Sequence, residues 1–314
     1  MKKVLITGAT GFVGKHLADH LATFNEFELF GTSLSDADKT NSKIQIEKID
    51  LTDQKSVLGL VTKIQPDQIY HLAAFTSPAD SFNNPTPVVL GNIEIEMNVL
   101  NAVKNAGLKQ AKLLVVSSAE VYGLIDNVDL PIDEKTQLRP CNPYAVSKIA
   151  QDFLALQYRL SYQMNIVRVR PFNHTGPGQS PVFAIPAFAK QIAQIEKEQQ
   201  EPVLKVGNLT AKRDFTDVRD IVKGYGLLME KGESGEVYNI GSGKSSSTKE
   251  LLDLLLSLTD RKITVEEDPE RVRPIEVANV YCDYTKLNAE TGWKPEISIE
   301  KTLQDTLDYW RSIV

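Results

Sequence analysis

The sequence predicts an α/β fold, built as a doubly wound parallel sheet with a smaller, interleaved α/β lobe. Over the first half of the chain, short apolar runs alternate with amphipathic helical stretches. This rhythm is typical of parallel strands joined by right-handed helical crossovers. A glycine-rich turn also follows the first apolar run and opens a helix, which is the setting of a dinucleotide site. Beyond about residue 175 the rhythm breaks, which predicts the second lobe.

The composition is that of an ordinary globular protein. The 314 residues are 42% hydrophobic and 24% charged, and the net charge is −6 with no basic block, so no nucleic-acid partner is predicted. Cys141 and Cys282 lie far apart in no metal-binding or redox spacing, which predicts no metal and a reducing compartment. No apolar run reaches membrane-spanning length, and Gly8 comes too early for a signal peptide. We therefore expect a cytoplasmic protein with no membrane partner.

The first strand, at Val4 to Ile6, leads into glycines spaced G-x-x-G-x-x-G and then into a helix. Such glycines let the backbone approach a pyrophosphate, and the helix N-terminus offers N–H groups and a positive dipole end. A tight turn that merely precedes a helix is the alternative. The predicted cofactor contacts in this turn are Gly8, Thr10, Gly11, Phe12, Val13 and Gly14.

The end of the second strand, 28–33, bears on the choice between NADH and NADPH. An acidic residue there would bind the 2′-hydroxyl of NAD, and an arginine would hold the 2′-phosphate of NADP. The sequence has Thr32, Ser33 and Leu34 instead. Thr32 and Ser33 are predicted cofactor contacts, and both reduced cofactors stay open.

Two further strands and a helix complete the predicted cofactor surface. After the third strand, 44–49, Asp50 would accept from the adenine amino group and Leu51 would pack on its ring, whereas Asp53 is equally an N-cap. At the end of the fourth strand, 68–74, small residues would let the cofactor lie close. A helix over about 88–106 follows. The contacts predicted from these elements are Leu72, Ala73, Ala74 and Asn92.

The apolar strand 112–116 is followed by Ser118 and Glu120, and Tyr144 and Lys148 lie one turn apart on a later helix that Pro143 opens. An ammonium beside a phenol is expected to lower the phenol pKa towards neutrality, and such a phenol can exchange a proton with a carbonyl or alcohol oxygen. Ser118 could hydrogen-bond the same oxygen. Glu120 is either a base or a solvated carboxylate. An exposed helix that happens to carry Tyr and Lys is the alternative for the pair.

The chain contains three motifs in the same order: the glycine turn at 7–14, Ser118, and Tyr144 with Lys148. With these motifs it resembles the extended short-chain dehydrogenases/reductases over essentially its whole length. The resemblance implies NAD(P), a Rossmann domain and a nucleotide-sugar lobe. It implies Tyr144 as acid/base, Lys148 on the nicotinamide ribose, Ser118 on the reacting oxygen, and Pro171 as a further cofactor contact. It also implies a homodimer formed through helices near 88–106 and 143–162; the alternative is that the apolar faces of these helices simply pack on the sheet. We expect residues 1–174 to form the Rossmann domain, with part of 215–245 returning to it, and 175–314 to form most of the second lobe.

Segments 171–174, 206–215 and 273–277 resemble the GDP-mannose branch of this family. In that branch the residues matching Asn173 and Arg213 hold the diphosphate, and those matching Arg273 and Glu276 hold the nucleotide and its ribose. The implied substrate contacts are Ser77, Ser118, Glu120, Asn173, Val206, Arg213, Arg273 and Glu276.

Segment 175–180 resembles the ketoreductases of this branch, which implies NAD(P)H-dependent reduction of the C4 ketone of GDP-4-keto-6-deoxy-D-mannose to GDP-D-rhamnose. A 4,6-dehydratase or another nucleotide-sugar epimerase/dehydratase is the alternative. Ala119 replaces the aspartate that some dehydratases use as an acid, but Glu120 remains as a candidate base. The third alternative is a protein that binds a dinucleotide without catalysing a reaction.

Overall fold

The computed structural model describes residues 1–35, 43–268 and 277–314. Across these three ranges, no helix has both the length and the apolar character that crossing a membrane requires.

The strands are β1 (Lys2–Thr7), β2 (Phe27–Ser33), β3 (Ile44–Lys48), β4 (Gln68–His71), β5 (Lys112–Val116), β6 (Ile166–Pro171), β7 (Asn173–Thr175), β8 (Val203–Val206), β9 (Lys212–Asp217), β10 (Val237–Ile240), β11 (Ser245–Ser247), β12 (Thr264–Glu267) and β13 (Asn279–Val280). The helices are α1 (Phe12–Leu21), α2 (Gln54–Ile64), α3 (Pro78–Asn83), α4 (Pro85–Asn105), α5 (Pro143–Tyr162), α6 (Ala184–Glu196), α7 (Val218–Lys231), α8 (Thr248–Leu256), α9 (Thr285–Thr291) and α10 (Ile299–Ile313).

Seven strands form one parallel sheet in the order β3-β2-β1-β4-β5-β6-β10. Helices α2, α4 and α5 pack together on one face, and α1, α7 and α9 on the other. Because both faces are covered, the central strands are buried apolar runs such as Val4 to Ile6. The predicted doubly wound α/β fold is confirmed.

The smaller lobe contains a mixed sheet in the order β11-β9-β13, with β7 beside β9, and a parallel pair, β12 and β8. Helices α6, α8 and α10 close a separate apolar core around Phe188, Leu251 and Leu307.

Strand β6 carries two arginines, Arg168 and Arg170, although it is buried throughout. Both pair with Asp152 of α5, at 2.6 and 2.7 Å, so their charges are compensated inside the protein. The predicted end of this strand at residue 169 was therefore two residues short. Helix α4 likewise begins at Pro85 rather than near residue 88, because prolines are tolerated in the first helical turn.

Candidate active site

A cleft of about 730 Å³ lies at the carboxyl ends of the parallel strands and extends to the smaller lobe. The strand order reverses between β1 and β4, and ligands of open α/β sheets bind at such a switch point. The predicted cofactor residues that line the cleft are Gly8, Thr10, Gly11, Phe12, Val13, Gly14, Thr32, Ser33, Asp50, Leu51, Leu72, Ala73, Ala74, Tyr144, Lys148 and Pro171.

The glycine turn is built so that no side chain obstructs this part of the cleft. Gly8 has a φ of +70°, and a Cβ on Gly14 would lie 2.2 Å from the Gly8 carbonyl oxygen. Helix α1 begins after Gly11 with no side-chain cap on its N–H groups. These features fit the diphosphate of a dinucleotide, because uncapped helix N–H groups bind anions.

Hydrogen bonds hold the turn against the neighbouring strand ends. The Thr32 hydroxyl accepts from the Gly8 N–H at 3.1 Å, and the Thr10 hydroxyl donates to Ser33 Oγ at 3.0 Å. Thr32 and Ser33 therefore shape the cleft wall whether or not they touch a ribose.

Thr7 organises the end of β4. Its hydroxyl oxygen accepts from the N–H groups of Leu72 and Ala73, each at 3.1 Å, so its own hydrogen is directed to Nδ1 of His71 at 2.8 Å. The sequence does not single out Thr7, because a threonine at a strand end carries no distinctive signal.

Hydrogen bonds also hold the segment after β3, where adenine binding was predicted. The Nδ2 group of buried Asn98 donates to the carbonyls of Leu51 and Thr52, both at 2.9 Å, and Asp50 Oδ1 accepts from the N–H and hydroxyl of Thr52. Asn98 was missed, although a buried amide within a largely apolar helix stripe is a usable signal.

Tyr144 and Ser118 meet in the cleft and are both buried. The sequence predicted a lowered pKa for Tyr144, and this prediction is wrong for the folded chain. Burial raises the Tyr144 pKa above its ordinary value of 10, a hydrogen bond with Ser118 lowers it, and the Glu120 carboxylate raises it. Desolvation disfavours the phenolate more strongly than its hydrogen bond favours it.

Lys148 projects from α5 into the same region and is only 4% exposed. Its Nζ donates to Gln151 Oε1 at 2.7 Å. Burial lowers the Lys148 pKa to about 8, while the carboxyl groups of Glu96 and Asp152 raise it.

Glu120 also lines the cleft, and Asn142 fixes its position. Asn142 Nδ2 donates to Glu120 Oε2 at 2.9 Å, while Asn142 Oδ1 caps α5 by accepting from the Ala145 N–H at 2.7 Å. One amide thus orients the carboxylate and the helix that carries Tyr144.

Asn92, Ser77 and Val206 are not among the described residues that line the cleft. Asn92 is buried and bonded to both backbone groups of Phe75 and to Ser147 Oγ, so it braces the cleft wall. Ser77 caps α3, and Val206 packs in the apolar core of the smaller lobe.

The predicted diphosphate contacts Asn173 and Arg213 both line the cleft, on the adjacent strands β7 and β9. Arg213 Nη1 also donates to the carbonyls of Lys212 and Val277. Arg273 and Glu276 lie outside the described residues.

The chain matches the family described as "GDP-mannose 4,6 dehydratase" over residues 5–306. It is 35% identical to the GDP-6-deoxy-D-mannose reductase of Pseudomonas aeruginosa, over 100% of this chain and 98% of that protein. It is 30% identical to the GDP-6-deoxy-D-talose 4-dehydrogenase of Aggregatibacter actinomycetemcomitans, over 91% of this chain and 90% of that protein.

Among solved structures, the chain is similar to RMD from Pseudomonas aeruginosa complexed with NADPH. The TM-score is 0.88 at 34% identity, and the match covers 100% of both chains.

Proposed function

The chain belongs to the GDP-mannose 4,6 dehydratase family of extended short-chain dehydrogenases/reductases, and on that premise we propose that it is a nucleotide-sugar 4-ketoreductase. The proposed reaction is reduction of the C4 ketone of GDP-4-keto-6-deoxy-D-mannose by NADPH or NADH, giving GDP-D-rhamnose. The 35% identity to a GDP-6-deoxy-D-mannose reductase supports this assignment.

The observation that carries the proposal is the pair of Ser118 and Tyr144, which are buried and both line the cleft. The bound dinucleotide supplies the hydride. Tyr144 then protonates the developing alkoxide, and Ser118 orients the same oxygen, which stabilises charge where it develops. Because burial raises the pKa of Tyr144, its phenol keeps the proton that a reduction needs at neutral pH.

Lys148 completes the proposed catalytic set. Its pKa of about 8 keeps most of it protonated at neutral pH. We propose that the ammonium holds the nicotinamide ribose and stabilises the Tyr144 phenolate that forms when the proton leaves.

NADPH and NADH both remain candidates for the hydride donor. Thr32 and Ser33 stand at the end of β2, followed by the exposed Leu34, so this strand end supplies neither a carboxylate nor a guanidinium for the 2′ position. The similar structure that contains NADPH favours a test with that cofactor first.

A GDP-mannose 4,6-dehydratase is the second candidate, and Glu120 is the observation that favours it. Its carboxylate lines the cleft close enough to Tyr144 to raise the Tyr144 pKa. A base there would remove the C5 proton of a 4-keto intermediate. A protein that binds dinucleotide without catalysis is the least favoured reading, because the set Ser118, Tyr144 and Lys148 is complete.

Two incubations separate these readings. With GDP-mannose alone we expect no reaction. With GDP-4-keto-6-deoxy-D-mannose and NADPH, or NADH, we expect stoichiometric loss of absorbance from the reduced cofactor. Conversion of GDP-mannose without net consumption of cofactor would establish the dehydratase, and cofactor binding with turnover of no keto-sugar would favour the non-catalytic reading.

The configuration of the product at C4 needs its own measurement. Rhamnose and 6-deoxytalose differ only at this carbon, and one 30% identical relative is named for the talose sugar. In GDP-D-rhamnose the C4 proton is axial and couples strongly to both neighbouring protons, whereas in the talose epimer these couplings are small. A proton NMR spectrum with large couplings supports GDP-D-rhamnose, and small couplings would reassign the product.

We propose the following division of labour within the chain. Residues 1–174, with part of 215–245, bind the dinucleotide, and 175–314 mainly bind the nucleotide sugar. Asn173 and Arg213 are proposed to hold the diphosphate, and Arg273 and Glu276 the nucleoside. The position of Asn173 and Arg213 on adjacent strands of the cleft wall supports the diphosphate part.

We also propose a homodimer formed through α4 and α5. Val146, Phe153 and Leu160 are exposed and seven residues apart on α5, so they share one face, and Leu90 and Met97 repeat this spacing on α4. Phe153→Glu with Leu160→Glu should reduce the mass measured by light scattering from twice 34.9 kDa to 34.9 kDa. Val128→Glu changes another exposed apolar residue and should leave the mass unchanged; a monomeric wild-type protein would refute the proposal.

A further inference from the structure

Gln151 is a buried amide on α5, and both of its polar groups are bonded beside the proposed catalytic lysine. Its Oε1 accepts from Lys148 Nζ at 2.7 Å, and its Nε2 donates to the Asn92 carbonyl of α4 at 2.9 Å. Only 1% of Gln151 is exposed, so solvent does not compete for either bond. The amide therefore connects the Lys148 ammonium to the backbone of a neighbouring helix.

The Asn92 carbonyl fixes which end of the amide faces Lys148. A carbonyl oxygen only accepts hydrogen bonds, and an ammonium only donates them. A reversed amide would place its oxygen against the Asn92 carbonyl and its NH2 group against the ammonium, so both bonds would be lost. Gln151 thus presents a fixed acceptor, which takes one of the three hydrogens on Lys148 Nζ.

Asn92 is also connected to Tyr144. Its Nδ2 group donates to Ser147 Oγ at 2.9 Å, and Ser147 Oγ donates to the Tyr144 carbonyl at 2.7 Å. One residue of α4 is therefore linked to Tyr144 through its side chain and to Lys148 through its carbonyl and Gln151. These bonds hold the catalytic turn of α5 at two points.

The titratable groups that face Lys148 come from three elements. On α5, Tyr144 keeps its proton because burial raises its pKa, and Asp152 is bonded through both carboxylate oxygens to arginines of β6. On α4, burial raises the pKa of Glu96, which favours its neutral form. On β4, burial lowers the pKa of His71 to about 3, so its ring is neutral.

None of these groups accepts a hydrogen bond from Lys148. Among the described residues, Gln151 Oε1 is the only acceptor bonded to Lys148 Nζ. Lys148 also lines the cleft, where the ribose of the dinucleotide is proposed to bind.

We propose that Gln151 is a positioning residue for the reaction: its fixed amide oxygen holds the Lys148 ammonium and leaves the remaining N–H groups to bind the dinucleotide ribose. The inference rests on the proposed function, in which Lys148 binds that ribose as an ammonium. A hydrogen-bond acceptor also favours the charged form of the group that donates to it. Loss of this oxygen should therefore make the Lys148 proton easier to remove.

The first test measures NADPH affinity by cofactor fluorescence from about pH 7 to about pH 10, without substrate. Affinity should fall where Lys148 loses its proton. In Gln151→Met, which removes the acceptor from a side chain of similar length, this fall should move towards acid by about one pH unit. In Gln151→Glu, which places a negative charge beside the ammonium, it should move towards alkali by about one to three units.

Opposite shifts in the two variants distinguish positioning of the ammonium from a merely structural role. Gln157→Met changes an exposed glutamine on the same helix and should leave the curve in place. Coincident curves for wild type and both Gln151 variants would overturn the proposal, and so would shifts in the same direction.

The second test needs no ligand. Denaturant unfolding of wild type, Gln151→Met, Lys148→Met and the double variant forms a double-mutant cycle. We expect non-additive midpoints, because each single variant leaves a buried polar group without its partner. Additive midpoints would overturn the proposed bond. If wild type reduces no keto-sugar while the affinity curves shift and the cycle is non-additive, the proposed function fails and the role of Gln151 in placing Lys148 stands.

Discussion

Burial decides the behaviour of single titratable side chains in this cleft. The spacing of Tyr144 and Lys148 in the sequence indicates an ammonium that favours a phenolate. In the folded chain, desolvation raises the pKa of Tyr144 and lowers that of Lys148 to about 8. Both shifts disfavour the charged form, so the protein holds a neutral phenol that suits proton donation.

Replacing the proton donor gives the residue-level prediction. Tyr144→Phe removes one hydroxyl, and loss of general acid catalysis should reduce turnover by about 10²–10⁴. Steady-state kinetics with keto-sugar and NADPH measure the loss. Tyr162→Phe, on the same helix but part-exposed, serves as the control and should keep wild-type rates. Full activity in Tyr144→Phe would remove Tyr144 from the catalytic assignment.

At the level of elements, two glycines of the turn between β1 and α1 have different roles. One is needed for the fold, and the other lies where the cofactor is predicted to bind. A Cβ at Gly14 would meet the Gly8 carbonyl oxygen at 2.2 Å, so this position is required for helix packing. A Cβ at Gly11 meets only that same oxygen, at 3.2 Å, and the residue is exposed at the cleft. Packing of α1 therefore requires glycine at position 14, whereas the predicted approach of the pyrophosphate requires it at position 11.

Gly11→Val should leave the fold intact and obstruct the predicted pyrophosphate position. We expect the affinity for NADPH, measured by titration of cofactor fluorescence, to fall by about tenfold or more, which is at least about 1.4 kcal/mol. The circular dichroism melting curve should stay close to that of Gly59→Val, a control in α2 where a Cβ meets nothing within 4 Å. Unchanged affinity would place the dinucleotide elsewhere.

At the level of the whole molecule, Asp214 joins segments that are distant in sequence. The carboxylate of this buried residue on β9 accepts from the N–H groups of Ser242, Gly243 and Cys282 and from the Ser242 hydroxyl. Ser242 and Gly243 follow the last strand of the large sheet, and Cys282 follows β13 of the smaller one. A single carboxylate thus ties the two sheets together behind the cleft.

Asp214→Ala should strongly destabilise the protein. Three backbone N–H groups lose their acceptor, at about 1–3 kcal/mol for each group that stays buried. We expect the free energy of unfolding, measured by denaturant titration, to fall by roughly 3 kcal/mol or more. Asp253→Ala, which removes an exposed carboxylate on α8, should change it by less than about 0.5 kcal/mol. Equal stabilities would show that the bonds to Asp214 contribute little net free energy.

The sequence by itself determined what depends on short-range patterns. Alternating apolar runs and helices define the doubly wound sheet, because the periods of strands and helices are local properties. The glycine spacing after β1, and the polar residues that follow strand ends, predicted site residues most of which do line the cleft, since carboxyl ends of parallel strands share one edge.

Only the tertiary structure decided what depends on contacts between distant segments. Asn92 faces Phe75 and Ser147 rather than the cleft, Val206 enters a core, and Arg168 and Arg170 are buried because Asp152 meets both. The direction of the Tyr144 pKa shift belongs to the same class. Desolvation and charge pairing arise from the whole packed environment of a side chain, and no spacing along the chain encodes that environment.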